Sequence, residues 1–289
     1  MRLRLGSIEF INSLPVDLGL ISGKVSAEAE IISGVPTSLN EKILKGSIDV
    51  SAVSTLWYAE HQDQFLLLPD LSISSESGVE SVLLFSRYPM KHLKSRQIAV
   101  TGQGRTTPAL LEILCRQYYG FRPDFKNVAS QTEDIPEDEA ALLLIGDNAL
   151  MAKEKLKNRG YHIIDLAEEW KNRTALPFVF AVWAVRRDVF AAQPKEVLEL
   201  HRALLSSKKW GAENLKEILI ASEQKTGLPA QVLKRYFSRI SYDFNEGLKC
   251  GLKLYLEYAV RCGILSSVGE LETIQDRPGV TPERINVYS

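Results

Sequence analysis

Four short polar clusters stand where an apolar run gives way to a turn: Asn12-Ser13, Ser54-Thr55, Gly104 to Thr107, and Gly146-Asp147. Each sets amide, hydroxyl or carboxylate side chains beside backbone N–H groups at the start of a helix. Such N–H groups, flanked by hydroxyls, take up carboxylates or phosphates. Any one cluster reads equally well as a helix cap. Four of them, all at the ends of strands, favour a cleft for a small anion. Arg105 is the one cation inside these clusters, placed either to pair with a substrate carboxylate or to face solvent. Asp147 sits in a tight Gly-Asp corner and either caps its helix or touches ligand. The run Leu176 to Trp183 is chiefly a buried strand, and its aromatics, Phe178 among them, can also wall a ring-shaped substrate.

Other chemistries fail on residue type and spacing. Gly102-x-Gly104 is followed by Thr at position 107, and no acidic residue lies at the distance a dinucleotide fingerprint needs. The Lys-Ser/Thr ending of a phosphate loop and the Gly-x-Ser-x-Gly elbow of hydrolases are both missing. His61, His92, His162 and His201 are scattered, so no metal is expected. Cys115, Cys250 and Cys262 have no metal spacing and are expected as buried reduced thiols. With 35 Lys+Arg against 36 Asp+Glu the net charge is −1, which gives no footprint for nucleic acid or an anionic membrane. Arg2 and Arg4 are followed by Glu9, Asn12, Pro15 and Asp17, which break any signal-like apolar run. The longest uncharged apolar stretch, Ala175 to Val185, is far short of the ~20 residues of a membrane span. A cytoplasmic protein is expected.

The elements that position these clusters alternate between strand and helix. Leu3–Ile11, Ile48–Val53, Leu66–Pro69, Val79–Phe85, Ile98–Val100, Ala141–Ile145, Tyr161–Leu166 and Phe178–Val185 read as strands. Helices are expected over Val16–Ile21, from Pro36 to Gly46, over Thr55–His61, from Thr107 (as N-cap) to Gly120, and from Gly146 through Leu156. Beyond Asp188 the pattern becomes four amphipathic helices, at 194–207, 211–226, 229–238 and 245–262, with an extended tail from about Glu272. This predicts an α/β protein with mostly parallel sheets, helices on both faces and a helical C-terminal region. Without a flexible linker, two domains must be joined by strands. Val79–Phe85 and Phe178–Val185 are expected as neighbouring crossings, with residues 1–87 and 177–289 forming one discontinuous domain and 88–176 the inserted one.

The same segments resemble a known family. Gly6 to Pro15, Ile48 to Ser54, Leu68 to Ile73, Gly78 to Ser86, Leu144 to Leu150, Asp165-Leu166 with Trp170, and above all Leu176 to Trp183 are similar to chorismate dehydratases of the futalosine-dependent menaquinone pathway. The resemblance covers about residues 4 to 187, with a weaker helical match beyond. It departs at Gly104 and Thr107, where the family has Ser, and at Ala175, where it has Gly. The resemblance implies the type II periplasmic-binding-protein fold used as a cytosolic lyase that converts chorismate to 3-[(1-carboxyvinyl)oxy]benzoate without metal or organic cofactor. It places Asn12 and Ser81 as catalytic groups. Ser13, Ser54, Thr55, Val82, Arg105, Thr106, Thr107, Gly146, Asp147 and Phe178 are then the expected substrate contacts. Two other functions compete: 1,4-dihydroxy-6-naphthoate synthase of the same pathway, and a non-catalytic binding protein for a small anion.

Overall fold

A computed structural model describes residues 2–102 and 104–276. The chain begins β1 (Leu3–Ile8), α1 (Leu14–Ile21), β2 (Ala29–Gly34), α2 (Pro36–Leu44), β3 (Val50–Ser54), α3 (Thr55–Glu60) and β4 (Phe65–Ser75). It continues through β5 (Val82–Ser86), β6 (Gln97–Val100), α4 (Thr106–Tyr118), β7 (Asp124–Asn127), β8 (Ala141–Ile145), α5 (Gly146–Leu156), β9 (His162–Asp165) and α6 (Leu166–Thr174). β10 (Phe178–Arg186) then leads into α7 (Arg187–Ala192), α8 (Pro194–Glu213), α9 (Leu215–Thr226), α10 (Ala230–Phe237) and α11 (Glu246–Arg261).

The strands form two five-stranded sheets, ordered β2-β1-β3-β10-β4 and β7-β6-β8-β5-β9. Counted within its own lobe, each sheet has the same order: second strand, first, third, an incoming strand, fourth. In each sheet only the incoming strand, β10 or β5, runs against the other four strands. Its first residue therefore lies at the edge where the other strands end, which is the edge that faces the opposite lobe.

One expectation needs correcting. Val82–Ser86 pairs with β8 and β9 and so belongs to the second sheet, whereas Phe178–Arg186 belongs to the first. The crossings are the segments before these strands, residues 76–81 and 175–177. They lie side by side where they meet the first sheet, because Ser75 pairs with Phe178. Both strands are apolar on two faces, a pattern that marks a buried strand without saying in which sheet it is buried.

Burial follows from composition. β5 and β8 are buried along almost all of their length, and Leu83, Phe85, Leu142 and Leu144 share a small core with Ala149, Ala152 and Leu156 of α5. A larger core runs through the first lobe and into the face of the second that carries α4. A third cluster joins Ile11 and Leu150 to Ile218, Leu233, Tyr236 and Phe237, so α9 and α10 seal the junction of the two lobes. β2 and β7, which the strand reading omits, are edge strands that are only partly buried. The expected tail starts as a bridge from Thr273 to Leu67 and a 3-10 turn at Ile274–Asp276; the rest lies outside the described residues. Cys115 and Cys262 are buried as expected, but Cys250 is exposed on α11. Among the described residues no helix is long and apolar enough to cross a membrane.

Candidate active site

A cavity of about 340 Å³ lies between the lobes, a size that suits one small molecule. From the first lobe come Phe10 and Asn12 after β1, Ser54 at the end of β3, and Phe180 on β10. α2 adds Thr37, Asn40 and Glu41, and α3 adds Trp57. The second lobe supplies Ser81 and Val82 where β5 begins, the turn Gly104 to Thr107 at the start of α4, and Ile145-Gly146 at the start of α5. Tyr236 and Ile240 close it from the C-terminal region. Of the expected residues, the cavity thus gathers Asn12, Ser54, Ser81, Val82, Arg105, Thr106, Thr107 and Gly146.

The turn that carries Asn12 is fixed from within. Ser13 is buried, and its hydroxyl donates to the Ile8 carbonyl at 2.8 Å and the Phe10 carbonyl at 3.2 Å. Asn12 is thereby turned to the cavity, and its amide oxygen is buried with no hydrogen-bond partner. A buried polar atom left unpaired costs about 1–3 kcal/mol, so this geometry favours a ligand that satisfies the amide. The Asn40 side-chain oxygen is in the same condition on the same wall.

The second lobe's wall is equally held. Glu80 has φ of 62°, and its N–H donates to Asp165 at 2.7 Å. The Ser81 carbonyl accepts from Gly146 N–H at 2.7 Å, and Tyr236 donates its phenol proton to Ser81 Oγ at 3.2 Å. α4 begins at Thr106 rather than Pro108, with Arg105 in the N-cap position and no side-chain cap; Thr107 is inside the helix. Thr106 Oγ1 accepts from Leu56 N–H at 3.1 Å, and Tyr255 donates to the Thr106 carbonyl at 3.0 Å, so this turn is tied to the first lobe. Arg105 pairs with Glu60 at 2.6 Å while its side chain remains 66% exposed.

Four expected contacts are used elsewhere. Ser13 serves the turn described above. Thr55 donates to the Val179 carbonyl at 3.1 Å. Asp147 neither caps α5 nor lines the cavity; its carboxylate accepts from Ile11 N–H, at 3.1 Å from Oδ1, and ties the lobes together. Burial pushes the Asp147 carboxyl up to about 6. Phe178 is buried against Trp170 and Tyr255, and Phe180 takes the wall position instead. Phe180 belongs to the run whose aromatics were expected to wall the substrate; Phe10, Trp57 and Tyr236 were not singled out from sequence, because an aromatic at a cavity wall has the same pattern as one in the core.

The titratable side chains on the wall are Glu41, Arg105 and Tyr236 among the described residues. Glu41 is exposed at the mouth, beside Lys45 at 3.5 Å. Nowhere among the described residues do three or more His, Cys, Asp or Glu gather to hold a metal ion. The wall thus offers neutral amides, hydroxyls and backbone N–H groups among apolar and aromatic side chains.

Residues 3–261 match a family model described as menaquinone biosynthesis. The chain is 32% identical to a chorismate dehydratase of Thermus thermophilus over 240 residues, 78% of this chain and 85% of that protein. It is 24% identical over 190 residues to a 1,4-dihydroxy-6-naphtoate synthase of the same organism, covering 65% of this chain and 67% of the other. Among solved structures, an Archaeoglobus fulgidus protein superposes with TM-score 0.71 at 23% identity, over 91% of this chain and 98% of that one. The periplasmic aliphatic sulphonate binding protein of Escherichia coli superposes with TM-score 0.63 at 12% identity, over 93% and 90%. The fold is that of periplasmic binding proteins.

Proposed function

The chain belongs to the menaquinone biosynthesis family, and from that premise we propose that it dehydrates chorismate to 3-[(1-carboxyvinyl)oxy]benzoate. The observation that carries the reading is the Asn12 amide oxygen, buried and unpartnered on the wall of a cavity that Ser81 also lines. The cytoplasm is the expected site of this reaction.

The chemistry suits such a cavity. The C3–H bond breaks, its electrons form the C3–C4 double bond, and the C4–O bond breaks, so that water leaves and the ring becomes aromatic. Aromatisation drives the step, and the ring carboxylate activates the C3 proton through the intervening double bond. The protein's task is to hold the substrate in a reactive pose and to stabilise charge as it develops. Glu41 lies at the open mouth, so the proton is assigned to the substrate's own enolpyruvyl carboxylate, which returns it to the departing hydroxide. Asn12 and Ser81 then bind and orient. The first turn of α4 presents N–H groups to a substrate carboxylate, and Phe10, Trp57 and Phe180 exclude water from the ring.

Incubation with chorismate, followed by mass spectrometry, tests this. Loss of one water with the appearance of an aromatic spectrum is the expected result. Chorismate that binds but is recovered unchanged would favour the binding-protein reading, and chorismate that neither binds nor reacts would favour the naphthoate synthase.

A further inference from the structure

α10 belongs to neither sheet, yet it is fastened to the bend that carries Ser81. Glu80 is buried just before that bend. Its carboxylate meets Arg235 of α10 at 3.0 Å, Arg239 at 3.1 Å and Lys153 of α5 at 3.3 Å. One turn of the same helix brings Tyr236, fully buried, to the cavity wall with its phenol oxygen 3.2 Å from Ser81 Oγ.

On the reading proposed above, we infer that Tyr236 is a positioning residue for Ser81: it occupies one lone pair of the serine oxygen, so that the serine's own proton is delivered to the substrate. A hydroxyl has one proton to donate and two lone pairs to accept with. With Tyr236 donating to one lone pair, the Ser81 O–H points away from the phenol, and among the described residues no acceptor takes that proton. The Ser81 backbone is pinned through Gly146 N–H and through the neighbouring Glu80 N–H, so the remaining freedom is the hydroxyl rotor that Tyr236 sets. Burial holds the phenol neutral, well above its ordinary range, so it stays a donor throughout the working pH range. A hydroxyl that itself accepts a hydrogen bond is a stronger donor to the next group in the chain. That favours the transition state, where negative charge grows on the ring carboxylate or the departing oxygen.

The test is a double-mutant cycle on chorismate turnover with Tyr236→Phe and Ser81→Ala, alone and together. The phenylalanine ring keeps the packing against Phe237, so the thermal midpoint should move by only a few degrees. Tyr236→Phe should lower kcat about tenfold with KM within about twofold, because the orientation matters in the transition state. In the Ser81→Ala background the same change should cost nothing further. Tenfold losses in both backgrounds would show Tyr236 acting on the substrate without Ser81, and an unchanged Tyr236→Phe or Ser81→Ala enzyme would end the inference. Should Tyr236→Phe not fold, Arg235→Ala, a half-exposed change that loosens the helix, is run through the same cycle with the same expectation that its kcat loss requires Ser81. Wild-type protein that makes no aromatic product removes the premise, and the inference with it; turnover with an additive cycle removes the inference alone.

Discussion

Asn12 and Arg105 lie on the same cavity and differ in what already satisfies them. The Asn12 amide oxygen has no protein partner, so its removal should be felt by the ligand rather than by the fold. Asn12→Ala is expected to lower kcat/KM by roughly 10- to 100-fold, the worth of about 1–3 kcal/mol, with the thermal midpoint nearly unchanged. Steady-state kinetics beside a melting curve checks both halves. Arg105 is already paired with Glu60 and largely in water, where ion pairs are screened. Arg105→Ala should therefore raise KM by less than about fivefold, and added salt should not reproduce the change. A larger rise that salt does mimic would put the guanidinium on a substrate carboxylate. Ser81, read as part of a strand, was named only through the family resemblance, whereas Asn12 and Ser54 were legible in the sequence as small polar residues at strand ends. Ser13 and Thr55 have the same signature, but their hydroxyls serve backbone carbonyls, and only three-dimensional register separates the two uses.

At the scale of elements, strands and helices were recognised wherever periodicity was strong, and most boundaries moved by a few residues. β4 runs on from Pro69 to Ser75 because Asp70, with φ of 60°, and irregular pairing with β10 let the strand absorb the proline. The end of α6 explains one departure from the family pattern. Ala175 is its C-cap residue, in the left-handed conformation with φ of 58°, which glycine adopts without strain. Left-handed backbone costs alanine roughly 1–2 kcal/mol, against about 0.5–1 kcal/mol that glycine loses through its freer unfolded chain. Ala175→Gly should stabilise the protein by about 0.5–1 kcal/mol, read from urea denaturation. Destabilisation would mean that the alanine methyl makes a contact worth more than the strain.

The whole molecule carries buried carboxyls whose effect on stability has a definite sign. Asp17, on α1, is buried, accepts from the Ser7 hydroxyl at 2.7 Å, and is pushed by burial up to about 6. A carboxyl raised in this way binds its proton more tightly folded than unfolded. It therefore subtracts stability as pH rises from about 4 to about 6, at up to ~1.4 kcal/mol per pH unit, and the loss persists above that range. Depressed carboxyls such as Asp188 act in the opposite sense, so the comparison belongs between wild type and one variant. Asp17→Asn keeps an acceptor for Ser7 and removes the titration. Its stability relative to wild type should improve between pH 4.5 and pH 7.5, and an equal difference at both values would show Asp17 ionising normally in the folded state.

The two lobes share a strand order, but the chain does not complete them in the order in which it starts them. β10 sits between β3 and β4, yet Phe178 is made about 100 residues after Ser75. At a synthesis rate of about 5–20 residues per second, the first sheet waits roughly 5–20 s for its inner strand. The second sheet needs only residues 82–165, a continuous stretch, and can close during that delay. On the ribosome the later-made lobe is finished first. Until β10 is made, β3 and β4 each leave an apolar edge unpaired, and that interval is when a nascent-chain chaperone would matter most.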